Sequence, residues 1–239
     1  MVTNLKELLK RLKIRNLKER CLEEKEMSEE YLILVDEKDN PIGKEEKVKC
    51  HLPNGILHRA FTALLFDKNG RLVLTRRAKE KMLWPDDWDG TVASHPRESE
   101  TYVSSGERRM PEELGIQCKL DYLFKFEYHV PYKDVGSENE ICGTLIGIVD
   151  DSSQFRQIEG EIDEIKWISS KELLSELKTN PKVYCPWMII ALELLEKSEK
   201  PMLEKYENIL SMWMTNEMHE GFQHAIKVHL PDDNWRLVE

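Results

Sequence analysis

No stretch of this 239-residue chain is apolar for the length that a membrane span requires, and its start lacks the apolar core of a signal peptide. The expectation is a cytoplasmic protein. An excess of positive charge is missing too: 35 Lys and Arg against 45 Asp and Glu give a formal charge of −10. That argues against nucleic acid as the main partner, because phosphate-backbone binding relies on a basic face. A small phosphorylated ligand held by a local basic cluster stays open. Cysteine is scarce and odd in number: Cys21, Cys50, Cys118, Cys142 and Cys185 are widely spaced, with no CxxC pair. This excludes a disulfide frame and a structural zinc knuckle and suggests reduced thiols. Internal repeats and low-complexity segments are also lacking.

What is present is a globular composition, 40% hydrophobic and 33% charged, long enough for a full core in one domain with decorations. Leu5, Leu8, Leu9 and Leu12 recur at helical spacing. Strand signals follow at Tyr31–Val35, then at Ala60–Phe66 and Leu72–Thr75, the last two joined by the hairpin sequence Asp67-Lys68-Asn69-Gly70. Further strands are expected around 120–130, 141–149 and 164–168, and one more in the tail after Ala225. Helices are expected over 171–177 with Ser170 as cap, from Pro186 to Leu195, and over 203–220. Hairpins alternating with a few helices predict an α+β sandwich, a mixed sheet flanked by helices.

The stretch from Asp89 to Gly115 organises the chain. It reads as a strand end, a polar loop, and a helix that stops at a glycine. Glu112 and Glu113 occupy the last turn, where acidic residues oppose the helix dipole and a bound cation would offset them. Pro111 lies inside that helix, so a kink or short break is expected near Glu107. His51 and His58 flank a Pro-Asn-Gly turn that lets both face one point. Arg76, Arg77 and Lys81 precede Trp84-Pro85 and make anion binding credible. Along the later strand, Glu138, Glu140 and Cys142 share one face. Two carboxylates on an apolar strand are costly to bury unpaired, and a metal or cationic partner would compensate.

Glu100, Arg108, Glu112, Glu113, Leu114 and Gly115 resemble the Nudix signature, which binds divalent metal and diphosphate. Ser94 stands at its glycine and Arg109 at its first block glutamate. Over roughly residues 31–195 the chain resembles a type I isopentenyl-diphosphate isomerase. That resemblance implies a Nudix-type domain over 31–197; helical extensions over 1–30 and 198–239 lie outside it, the C-terminal one serving as a dimer contact or a cap, in a monomer or homodimer. It implies an octahedral divalent site (Mn2+, Mg2+ or Zn2+) held by His51, His58, His95, Glu138 and Glu140. Glu113 would help hold a second ion, Mg2+ on the diphosphate. Lys47, Arg77, Lys81 and Arg109 would bind the diphosphate of a small prenyl substrate. Tyr128 would hydrogen-bond the catalytic Glu140, and Trp187 would cover the substrate.

Shifting an unactivated double bond needs a proton added at one end and removed at the other, through an intermediate with carbocation character. An acid and base on opposite faces and an electron-rich indole wall serve that chemistry. The family's cysteine, two residues before His-Pro, is Ala93 here. Losing a positioned proton donor or acceptor costs on the order of 10²–10⁴ in rate. Ser94, Cys142, Cys185 or a water are the substitutes at hand. Two other readings stay open: a Nudix hydrolase of a prenyl or nucleoside diphosphate, and a prenyl-diphosphate-binding protein without turnover.

Overall fold

The computed structural model describes residues 30–149 and 155–239; the helix expected over residues 4–12 lies outside them. Chain contacts separate Met1–Tyr31 from Leu32–Glu239, and the second is one compact unit. Its strands are β1 (Tyr31–Val35), β2 (Pro41–Glu46), β3 (His58–Phe66), β4 (Leu72–Arg77), β5 (Trp88–Asp89), β6 (Val92–Ser94), β7 (Asp121–Tyr132), β8 (Gly136–Ile148), β9 (Ile162–Ile168) and β10 (Trp235–Val238). They form one mixed sheet in the order β10-β7-β8-β3-β1-β2; β4 branches from β3 to β5 and β9, and β6 also pairs with β3. The pairing of β3 with β8 is parallel, while β7 lies antiparallel on the other side of β8.

The helices are α1 (Lys47–His51), α2 (Tyr102–Leu114), α3 (Ser170–Thr179), α4 (Pro186–Glu193), α5 (Lys200–Lys205), α6 (Glu207–Leu210) and α7 (Asn216–His229). The apolar run of β3 is buried from both sides, as expected for a strand covered on two faces. Its side chains alternate. Ala60, Leu64 and Phe66 pack with Leu173, Met188 and Phe222 from α3, α4 and α7. Phe61, Ala63 and Leu65 pack with Met110 and Leu114 of α2. The result is a sandwich with α2 on one face and the later helices on the other.

α2 starts at a capping box: Thr101 Oγ1 accepts from the Ser104 N–H at 3.1 Å, and Ser104 Oγ accepts from the Thr101 N–H at 2.9 Å. It stops at Gly115, whose φ of 69° suits glycine. The break expected near Glu107 is absent, because the helix is continuous through Pro111. Pro111 removes only its own N–H from the ladder, and the Gly115 N–H still reaches the Pro111 carbonyl. Three further expectations need correction. The cap of α3 is Ser169, one residue earlier than expected, since its side chain accepts from the Glu172 N–H. The helix from Pro186 ends at Glu193 and tightens into a 3₁₀ turn over Leu194–Lys197. The single helix expected over 203–220 is instead α5, α6 and the start of α7. Its apolar stripe is real, with Tyr206, Leu210 and Trp213 all buried, but the three pieces pack around it separately. The strand expected in the tail is β10, paired with β7.

Gly143 on β8 lets α2 dock: a Cβ there would lie 2.4 Å from the Tyr102 ring. Gly143→Ala should therefore destabilise by about 1–3 kcal/mol in denaturant melts. Adding Tyr102→Ala should recover part of that loss, and strictly additive losses would show that the contact is not the cause.

Candidate functional site

Glu140 is the hub, and the sheet register puts it there. On β8 it lies directly opposite His58 of β3 and Tyr128 of β7. Directly opposed side chains on neighbouring strands are the ones that touch. The Tyr128 hydroxyl donates to Glu140 Oε2 at 2.5 Å, and His58 Nε2 is 3.3 Å from Glu140 Oε1. His95 follows β6, which pairs with β3 beyond His58, and its Nε2 reaches Glu140 Oε1 at 3.2 Å. His51 closes the group from α1. The three imidazole centroids are 4.8, 5.1 and 5.5 Å apart.

Ligand atoms of His51, His58, His95 and Glu140 all lie within 4.8 Å of one another. Glu138, expected as a fifth ligand, is outside this group of four. It contacts His51 alone, with Oε2 at 3.0 Å from Nε2. Two rings have their tautomer fixed: His51 Nδ1 donates to the Lys47 carbonyl at 2.6 Å and His58 Nδ1 to the Ile56 carbonyl at 2.7 Å. A carbonyl only accepts, so these nitrogens carry the proton and Nε2 faces the cluster. His58 Nε2 and Glu138 Oε2 are buried and make no well-directed hydrogen bond; they approach Glu140 Oε1 at 3.3 Å and His51 Nε2 at 3.0 Å. Such orphaned acceptors are costly unless something fills the space between them. Three imidazoles and a carboxylate converging at this spacing fit a divalent cation.

The charges follow from the packing. Burial works against the protonated form of His51, but the adjacent Glu138 carboxylate raises the imidazole to about 9. Burial draws His95 down to about 3 despite Glu140. Glu140 is itself buried, which favours the acid, yet hydrogen bonds and charge from His58 and His95 hold it well below the usual carboxylate range.

One cavity is lined by Glu140, Glu138, His51 and His95 on its floor, with Tyr128, Trp187 and Ala93 around it. Lys47, Arg77, Lys81 and Arg109 line it as well. Ser94 and Cys142 also reach it, whereas Cys185 is buried outside its lining. Burial pushes the Cys142 thiol well above its ordinary value, so it stays protonated. Glu113 does not line the cavity. Its carboxylate, buried and raised for that reason, is held by Arg109 at 2.6 and 2.8 Å. Arg108 binds Glu100 at 2.6 Å and Glu112 at 2.9 Å. The acidic helix end is thus offset by guanidinium groups of the same helix, three and four residues back.

Two contributors escaped the reading of the sequence. Asp89, buried at the end of β5, accepts from Trp187 Nε1 at 2.7 Å and from Arg77 NH1 at 3.1 Å. Arg77 donates onward to the Leu83 and Trp84 carbonyls at 3.1 and 3.0 Å, and its guanidinium lies 5.3 Å from the Trp187 ring centroid. Trp84, at φ 47°, is strained backbone that these bonds hold in place. Asp89 was findable by the argument applied to Glu138, an acid inside a buried strand. Glu161, which pairs with Lys81 and Arg109, sits in a turn and carries no such signal.

The NUDIX domain family model matches residues 56–188. The isopentenyl-diphosphate Delta-isomerase of Haloarcula marismortui is 39% identical over 176 residues, spanning 70% of this chain and 91% of that protein. The protein of the same name from Halobacterium salinarum is 39% identical over 170 residues, covering 67% and 78%. Among solved structures, DR0079 from Deinococcus radiodurans aligns with a TM-score of 0.52 at 22% identity, over 62% of this chain and 89% of that one. At that identity the likeness speaks for the fold alone.

A divalent cation at the cluster must displace the proton that His51 carries below about pH 9. Its apparent affinity should rise up to about tenfold per pH unit between about pH 6 and about pH 9. Titration calorimetry with Mn2+ in buffers of different ionisation enthalpy should show proton release. A pH-independent affinity would remove His51 from the cation's surroundings. Without a cation the sign is opposite: His51 is raised above its unfolded value. Its pairing with Glu138 then stabilises fully below that value and is lost as pH climbs through about 9.

Proposed function

This chain belongs to the NUDIX family, and within it to the isopentenyl-diphosphate Delta-isomerases, and from that premise we propose that it converts isopentenyl diphosphate to dimethylallyl diphosphate. One observation carries the reading: a carboxylate, Glu140, is tied to Tyr128 on one side and to imidazoles on the other, on the floor of a cavity with an indole wall and a cationic rim. Hydrolysis of a diphosphate is the weaker reading, since Arg109 occupies a position where the hydrolase signature has a carboxylate.

Glu140 moves the proton at one face of the alkene. Tyr128 stays protonated, because burial and the nearby Glu140 charge hold its hydroxyl well above the ordinary value. It therefore keeps donating to Glu140 Oε2 and orients the other lone pairs. Trp187, fixed by Asp89, offers a π face to the developing cation. Lys47, Lys81 and Arg109 hold the diphosphate, and Glu113 orients Arg109. His51, His58, His95 and Glu140, with Glu138 beside His51, are the groups that would hold a divalent cation. Its chemistry there would be to fix the Glu140 carboxylate and strengthen the acid formed on it. On the opposite face Ala93 exchanges no proton; Ser94 and Cys142 are the hydroxyl and thiol that line the same cavity.

Incubation with isopentenyl diphosphate and Mg2+ should give dimethylallyl diphosphate without phosphate release. Phosphate alone would establish a hydrolase, and neither product a binding protein. Glu140→Gln should lower kcat by on the order of 10²–10⁴, and Ala93→Cys should raise it. No gain from the thiol would place the second proton transfer elsewhere in the cavity.

A further inference from the structure

Glu161 stands just before β9, and its position is set by backbone pairing. Arg77 of β4 faces Ile162, and the Ala78 N–H donates to the Glu161 carbonyl at 3.1 Å. Glu161 does not itself line the cavity, but its side chain reaches two residues that do, Lys81 and Arg109. One carboxylate oxygen is hydrogen-bonded to Lys81 Nζ, and the other lies 3.5 Å from Arg109 NH2. Burial would raise this carboxyl, yet Lys81, Arg109 and Lys47 together hold it below its ordinary value. Two of the cations assigned above to a diphosphate, Lys81 and Arg109, therefore already contact one anion of the protein itself. Arg109 also pairs with Glu113 at 2.6 Å, so in this arrangement the rim has little unbalanced positive charge.

We propose that Glu161 is an internal stand-in for the substrate's diphosphate, occupying Lys81 and Arg109 until the diphosphate displaces it. The inference rests on the reading that these cations form the diphosphate cradle. The displacement is a side-chain swing: the backbone of Glu161 is pinned to Ala78, while its side chain is 31% exposed and has room to turn outward. Two consequences follow. Substrate affinity is set by a competition between carboxylate and diphosphate rather than by the cations alone. An anion of low charge, such as a single phosphate, competes less well, so the carboxylate filters ligands by charge. Without the stand-in, two like-charged cations would face each other across an empty rim, so the same carboxylate keeps them in place.

The test is calorimetric titration of the full chain with inorganic pyrophosphate and, separately, inorganic phosphate, for the wild type, Glu161→Gln and Lys81→Ala. Glu161→Gln keeps the shape and removes the charge. It should bind pyrophosphate about tenfold more tightly, equivalent to about 1.4 kcal/mol. The preference for pyrophosphate over phosphate should narrow, and KM for isopentenyl diphosphate should fall. A purely structural role for Glu161 would give no gain in affinity. Unchanged or weaker pyrophosphate binding by Glu161→Gln overturns the proposal. Lys81→Ala tests the cradle separately: if it binds pyrophosphate as the wild type does, the reading beneath the proposal fails instead. Binding by none of the three proteins overturns both.

Discussion

The parallel pairing of β3 with β8 is the constraint on which the site depends. It sets His58 opposite Glu140, and the antiparallel pairing on the other side of β8 sets Tyr128 opposite the same residue. Side chains in a sheet alternate with a period of two, so a slip of one residue in either ladder would turn Glu140 away from its partner on that side. Such a slip is opposed by the core. β3 buries Ala60, Leu64 and Phe66 on one face and Phe61, Ala63 and Leu65 on the other. The hydrophobic burial that stabilises the sandwich is what fixes the spacing of polar groups at its edge.

Those polar groups are held in unfavourable company, and the protein balances them locally. Three buried carboxylates in and beside the cavity have cationic or donor neighbours: Asp89 has Arg77 and Trp187, Glu113 has Arg109, Glu140 has Tyr128 and imidazoles. The net charge of −10 therefore says little about the cavity, where arginines and lysines gather on one rim. Where the balance is incomplete, at His58 Nε2 and Glu138 Oε2, the donor set suits a divalent cation. The fold thus sets a cluster of imidazoles and carboxylate beside a set of ion pairs made by Lys81 and Arg109.

Ala93 stands among the residues that line the cavity. Around it lie the metal-compatible cluster, the tyrosine and the indole, while its small side chain offers no proton-exchanging group at that point. Trp187 gains an acidic partner in Asp89, which ties the indole to the same guanidinium that braces the strained Trp84 backbone. The wall of the cavity is therefore a single hydrogen-bonded unit that runs from β5 through Arg77 to α4.

The sequence by itself determined the fold class, the family and the types of group that gather at the cavity. Alternation, turn residues and the spacing of His51, His58, His95, Glu138 and Glu140 are local properties, legible without coordinates. Tertiary structure decided what depends on partners distant in the chain. It placed Glu138 against His51 and outside the central four, committed Arg77 to Asp89 and two carbonyls, and kept α2 continuous through Pro111. It also divided the expected 203–220 helix into three, because an apolar stripe specifies which residues are buried and leaves open where the chain bends to bury them. Glu161 shows the limit most plainly. A glutamate in a turn resembles any solvated surface charge until the β4–β9 ladder carries it to Lys81 and Arg109, some 80 and 52 residues upstream.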